Sequence, residues 1–116
     1  VEQAITLAQA KGAKRALLLP VSAPFHCALM QPAADVMRDA LAAVNSQAPV
    51  TTLVANVTAD AVTDPARIKQ LLVEQVTGMV RWRESVLFMA DQGVTETIEL
   101  GAAQVLAGLT KRIDGD

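Results

Sequence analysis

The sequence predicts an α/β fold with a largely parallel sheet. Three short apolar runs alternate with segments of helical periodicity, the order typical of strands that are connected by helices on both faces of a sheet. The runs are RALLLPV (15–21), VTTLVANV (50–57) and VTETIEL (94–100). Hydrophobic residues make up 52% of the 116 residues, enough for a buried core in one domain. Three strands leave long sheet edges open, so we expect further strands from a longer protein.

Segments with helical spacing fill the intervals between these runs. They are 2–11, 27–46, 63–76, 81–93 and 103–113. Asp64 and Pro65 have the residue types preferred at the cap and first position of a helix, and Pro32 suits a first turn. Gly12 and Gly93 stand where helices commonly end. The sequence therefore indicates five helices with the local chemistry to begin and end them.

Composition excludes several classes of protein. The net charge is −2 and the charges of both signs are interspersed, which argues against nucleic-acid binding. A single cysteine forms no internal disulfide, and one histidine with one cysteine cannot complete a structural zinc site, so no metal is expected. No apolar run approaches the roughly 20 residues that span a bilayer, and the first residues lack a signal-peptide pattern. We therefore expect a cytoplasmic protein without membrane contact.

His26, the single histidine, is the candidate for proton transfer. It follows the predicted strand 15–21 by a few residues, and ligands of α/β sheets bind beyond the carboxyl ends of strands. Histidine titrates near neutral pH and serves often as a general base. A lone loop histidine is more often a capping or surface residue, so both interpretations stay open. Cys27 is adjacent but expected to be packed, and the chain has no Gly-x-Ser-x-Gly nucleophile motif.

Four motifs in order resemble the second half of the malonyl-CoA:acyl carrier protein transacylases. They are LPVSAPFHCALMQPAAD (19–35), VANVTAD (54–60), LLVEQVTGMVRWRESV (71–86) and IELGAAQVLAGLTKRI (98–113). The resemblance covers essentially the whole chain with similar spacing. It implies a C-terminal fragment of an acyltransferase. Residues 1–21 would end a small ferredoxin-like subdomain, and residues 22–116 would be the C-terminal part of the large hydrolase-like domain.

The resemblance also implies an activity and its site. Family members transfer malonyl from coenzyme A to the phosphopantetheine thiol of acyl carrier protein in fatty acid biosynthesis, through an acyl-serine. His26 corresponds to the catalytic base, and Gln75 to the catalytic-site glutamine whose backbone carbonyl orients it. Phe25 corresponds to a substrate-binding residue that favours malonyl over methylmalonyl groups. Asn56 and Ser22 match family positions near the pocket, without a predicted chemical role.

Simpler interpretations of the same residues stay open. Gln75 is otherwise a polar residue on a helix face, and Phe25 a loop aromatic packed on the core. The resemblance implies no cofactor, since malonyl-CoA is a substrate and acyl carrier protein brings the phosphopantetheine. It places the serine motif, the malonyl-binding arginine and the oxyanion glutamine in a missing N-terminal half, so we expect the fragment alone to be inactive. Alternatives are an acyltransferase domain of a modular polyketide or fatty acid synthase, or a non-catalytic remnant that binds acyl carrier protein.

Overall fold

The computed structural model describes residues 1–18, 20–102 and 104–115, which form five α-helices and one small sheet. A short 3₁₀-helix at Ala28–Met30 leads directly into α2. In chain order the other elements are α1 (Glu2–Ala10), α2 (Gln31–Ala42), β1 (Leu53–Ala55), β2 (Asp60–Val62), α3 (Pro65–Thr77), α4 (Trp82–Asp91) and α5 (Val105–Ile113).

The helix boundaries follow the local signals in the sequence. The Asp64 carboxylate accepts from the backbone N–H groups of Ala66 and Arg67, at 3.3 and 3.0 Å, and so caps α3. Gly12 and Gly93 follow their helices with φ of 90° and 82°, left-handed values that suit glycine. The predicted helix starts and stops at these positions are confirmed.

The sheet differs from the prediction. β1 lies inside the predicted run 50–57, but it pairs antiparallel with β2, in the register Leu53↔Val62 and Ala55↔Asp60. β2 was not predicted. The described residues of the runs 15–21 and 94–100 form no strand, and Leu19 lies outside the described residues. A strand is defined by its ladder partner, and these apolar runs find no partner within the described residues.

The chain buries little of its apolar surface. Its radius of gyration is 17.1 Å, against about 13 Å for a compact domain of roughly this length. Its accessible surface is 9019 Å², against about 6,000 Å² for a compact monomer of this length. Among the described residues, the buried apolar ones are Ala34, Ala55, Ala59, Leu71 and Val86. The apolar faces of this segment are therefore largely open.

Two pairs of helices form the framework of the segment. α2 and the 3₁₀-helix both pack against α3, and α4 packs against α5. Large apolar side chains of these helices are exposed, since Leu29 of the 3₁₀-helix and Met37 of α2 are 75% and 41% accessible, and Ala34 is the buried residue of α2. Among the helices described, none is both long and apolar enough to cross a membrane.

Candidate active site

His26 lies in the loop before the 3₁₀-helix, with a left-handed backbone. Its φ is 58°, an uncommon value for a residue other than glycine and one that concentrates at functional sites. Three hydrogen bonds hold the loop around it. They are Phe25 N–H to Ala23 O at 2.9 Å, Cys27 Sγ–H to Pro24 O at 3.1 Å, and Met30 N–H to Cys27 O at 2.9 Å. The turn that aims His26 is thus fixed locally.

The imidazole of His26 contacts the end of α3. Its Nδ1 lies 3.0 Å from the backbone carbonyl oxygen of Gln75, which is 49 residues away in the sequence. The last four carbonyls of a helix have no partner within the helix. Since α3 ends at Thr77, the Gln75 carbonyl is one of these, whereas the carbonyl of Glu74 accepts from Gly78 N–H at 2.8 Å. Gln75 therefore has an acceptor available for His26.

A hydrogen bond across this contact is possible with only one arrangement of the ring protons. A carbonyl oxygen only accepts, so a hydrogen bond to it requires a proton on Nδ1. In a neutral imidazole the other nitrogen, Nε2, then has a free lone pair. A base held in this way by an acceptor behind it is the arrangement found in serine-based acyl transfer. The structure places His26 Nδ1 beside the backbone carbonyl of Gln75, the pair of groups that the family resemblance implied.

The side chain of Gln75 adds a second contact that sequence reasoning did not predict. Its Nε2 lies 3.2 Å from His26 Nδ1, and its Oε1 is buried without a hydrogen-bond partner among the described residues. Asn56 Oδ1 is buried without a described partner as well. Both residues line a cavity of about 290 Å³ between β1 and α3. The available sequence signal for Asn56 was its place directly after a strand, where site residues collect.

Two neighbours of His26 have different environments. Phe25 is 55% exposed, so it is not packed on the core of this segment and is free to contact a ligand or another part of the protein. Cys27 is half-buried and its thiol donates to Pro24, which agrees with the packed role expected for it. Among the residues that the structure describes, no group of three or more His, Cys, Asp or Glu side chains is placed to hold a metal ion.

Ion pairs among the described residues lie on α2, on α3 and at the start of α4, and none of them involves His26. Arg67 donates to Glu74 at 3.0 Å, and Arg81 donates to Glu84 at 3.5 Å. On α2, the Arg38 guanidinium donates to Asp35 at 2.7 Å, and this hydrogen bond holds the pKa of Asp35 below its ordinary value of 3.8. These pairs are partly or largely exposed, so they contribute little to stability.

No protein-family model matches the chain. Among curated proteins, the malonyl CoA-acyl carrier protein transacylase of Salmonella typhimurium is 50% identical over 113 residues, which are 97% of this chain and 37% of that protein. Among solved structures, the acyl-carrier-protein-S-malonyltransferase of Bartonella henselae is 55% identical with a TM-score of 0.89, over 99% of this chain and 37% of that one.

A third similar protein was solved with a partner. A malonyl-transacylase in complex with a type II PKS acyl-carrier protein is 44% identical with a TM-score of 0.87, and the match covers 98% of this chain and 37% of that chain. These relatives confirm that the segment has the fold of an α/β acyltransferase, although the described residues contain no parallel strand pair. The chain spans about 37% of the length of these relatives. By sequence and by fold, the chain is homologous to one segment of the malonyl CoA-acyl carrier protein transacylases.

Proposed function

We propose that the protein carrying this chain transfers a malonyl group from coenzyme A to the phosphopantetheine thiol of acyl carrier protein, in fatty acid biosynthesis. His26 acts as the general base and the backbone carbonyl of Gln75 orients it. The observation that carries the proposal is the 3.0 Å contact between His26 Nδ1 and that carbonyl, since it leaves Nε2 free to take a proton. A relative that is 50% identical to this chain over 113 residues is named a transacylase.

The reaction runs in two balanced half-reactions. A serine hydroxyl gives its proton to His26 Nε2 while its oxygen attacks the malonyl thioester carbonyl, and the coenzyme A thiolate leaves with that proton. The phosphopantetheine thiol then gives its proton to His26, its sulfur attacks the acyl-serine, and the serine oxygen recovers the proton. Splitting the transfer in this way replaces one difficult step by two easier ones.

The serine must come from outside these 116 residues. The chain has no Gly-x-Ser-x-Gly motif to present a nucleophile opposite His26. We therefore propose that the serine motif, the malonyl-binding arginine and the oxyanion glutamine lie in the part of the protein that precedes residue 1. The proposed domain division keeps residues 1–21 with a small ferredoxin-like subdomain and residues 22–116 with the large domain.

The partners of the proposed reaction are malonyl-CoA and acyl carrier protein. One similar malonyl-transacylase was solved with an acyl-carrier protein, and this supports carrier-protein docking on the protein that carries this chain. General acid–base and nucleophilic chemistry account for every step, so we propose that no metal or cofactor takes part. We place the reaction in the cytoplasm.

The test is malonyl transfer by the complete protein with His26→Ala. Initial rates from malonyl-CoA to holo acyl carrier protein should fall by about 10²–10⁴-fold, the usual contribution of a general base. The matched control is Asp39→Asn on the exposed surface of α2, which should keep full activity. Intact protein mass spectrometry should also find less acyl-serine in His26→Ala after brief mixing with malonyl-CoA. Transfer at the normal rate by a folded His26→Ala protein contradicts the proposal and favours a non-catalytic role.

A further inference from the structure

We propose that Asn56 is a positioning residue for His26 and that it acts through the side-chain amide of Gln75. The proposal deepens the proposed function and rests on it, since it concerns how the base is held. It starts from three polar atoms, two of which belong to residues that line one cavity. The first is His26 Nδ1, which lies close to two atoms of Gln75, the backbone carbonyl oxygen and the side-chain nitrogen. The other two are Gln75 Oε1 and Asn56 Oδ1, which are buried and have no hydrogen-bond partner among the described residues.

The two contacts of His26 Nδ1 with Gln75 cannot both be hydrogen bonds when the side-chain amide is oriented as described. The carbonyl oxygen of Gln75 at 3.0 Å requires a proton on Nδ1, whereas the amide nitrogen Nε2 at 3.2 Å requires a lone pair there. With the proton on Nδ1, two donors face each other. With the proton on Nε2 of the ring, two lone pairs face each other, and the nitrogen needed as base is already protonated. Neither state satisfies both contacts.

Turning over the amide of Gln75 removes the conflict. The nitrogen and oxygen of a side-chain amide have almost the same shape and are told apart by the hydrogen bonds that they make. In the turned orientation Oε1 lies 3.2 Å from Nδ1, and the ring N–H is shared between two oxygens of Gln75. The amide nitrogen then occupies the buried position in which Oε1 has no partner.

Asn56 supplies the acceptor that the turned amide needs. Its Oδ1 is buried without a partner among the described residues, and Asn56 lines the same cavity of about 290 Å³ as Gln75. Buried polar atoms in native proteins nearly always have a hydrogen-bond partner. A hydrogen bond from Gln75 Nε2 to Asn56 Oδ1 satisfies both orphan positions at once. Asn56 thereby locks the amide in the orientation that keeps the proton on Nδ1 of His26.

The first experiment measures the tautomer of His26 in the complete protein. Isotope-labelled histidine reports which ring nitrogen carries the proton through its nitrogen chemical shifts, and the signal is assigned by its loss in His26→Ala. Asn56→Leu, which keeps the size and removes the acceptor, should increase the population with Nδ1 unprotonated. It should also lower kcat about three- to tenfold, the effect of one neutral hydrogen bond, with little change in KM for malonyl-CoA.

A conservative variant and a double-mutant cycle distinguish a positioning role of Asn56 from damage to the fold. Asn56→Asp keeps an oxygen acceptor and should retain the Nδ1-protonated tautomer and most of kcat. Gln75→Met keeps the backbone carbonyl but lacks the amide, so it should reproduce the effect of Asn56→Leu. The double variant should lose no more than either single one. Circular dichroism checks folding, and if Asn56→Leu does not fold, Gln75→Met and Asn56→Asp decide the question.

The outcomes separate this inference from the proposed function. An unchanged tautomer and kcat in folded Asn56→Leu, or additive losses in the double variant, overturns the role of Asn56 while His26→Ala is still inactive. Normal transfer by His26→Ala overturns the proposed function itself.

Discussion

The backbone carbonyl oxygen of Gln75 lies 3.0 Å from His26 Nδ1 and is free to accept from it, because α3 ends at Thr77 before the helix can use that carbonyl. Gly78 is the residue that follows α3, and its backbone is packed closely against its neighbours. A Cβ atom at Gly78 would lie 2.8 Å from Val57 Cγ2 and 2.9 Å from the carbonyl oxygen of Glu74. The absence of a side chain at Gly78 therefore lets the helix end where it presents its acceptor.

Gly78→Ala should disturb both stability and catalysis. The added methyl group has no space, and overpacking of this kind costs about 1–3 kcal/mol of the free energy of unfolding. The exit of α3 must also shift, which moves the Gln75 carbonyl relative to His26 and should reduce kcat/KM for malonyl transfer. Denaturant unfolding and steady-state kinetics of the complete protein measure the two effects.

The control for this change is Gly108→Ala in α5, where an added Cβ meets nothing within 4 Å. Alanine in a helix interior is more favourable than glycine by about 0.5–1 kcal/mol, so this variant should be as stable as the parent protein or more stable. If Gly78→Ala behaves like Gly108→Ala, the close approach to Val57 does not constrain the end of α3.

Phe25→Ala should relax the choice of acyl group. Phe25 is exposed beside the proposed base, where its bulk can exclude a branched acyl chain. One methyl group is worth only about 1–3 kcal/mol in such a pocket, so the preference for malonyl-CoA over methylmalonyl-CoA should fall by about tenfold to a hundredfold. The ratio of the two kcat/KM values is the measurement. The control is Leu29→Ala, at a 75% exposed position of the 3₁₀-helix. Equal ratios in the two variants would show that Phe25 does not determine acyl specificity.

Asp64→Ala should destabilise the start of α3. The carboxylate of Asp64 satisfies two backbone N–H groups of the first turn, at Ala66 and Arg67. Loss of a side-chain cap costs about 0.5–2 kcal/mol, whereas Asp64→Asn keeps an acceptor and should be nearly neutral. Thermal and denaturant unfolding test this order of stability. Equal stability of the Ala and Asn variants would mean that Pro65 and tertiary packing alone begin the helix.

These 116 residues expressed alone should not unfold as a cooperative domain. The segment has five buried apolar residues among those described, and large apolar side chains such as Leu100 and Ile98 are 92% and 78% exposed. Such surface binds hydrophobic dyes and leaves little packing to make unfolding cooperative. Dye fluorescence and the steepness of the denaturant transition are the measurements. A sharp transition without dye binding would show that the segment folds independently.

Much of the local structure could be predicted from the residues in the chain. Asp64 with Pro65, and the glycines at 12 and 93, act through hydrogen bonds and backbone angles within a few residues, so the corresponding helix ends were predicted correctly. The His26–Gln75 contact was predicted only through family resemblance, because no local pattern connects residues 49 positions apart.

Strand pairing and buried polar partners depend on tertiary structure. The runs 15–21 and 94–100 have strand-like composition but no ladder partner among the described residues, and the run at 50–57 forms a hairpin strand instead of part of a parallel sheet. The unpartnered oxygens of Asn56 and Gln75 likewise follow from how β1 and α3 enclose a cavity. Hydrogen bonds within one turn are encoded by neighbouring residues, whereas ladders and buried contacts require segments far apart in the chain to meet.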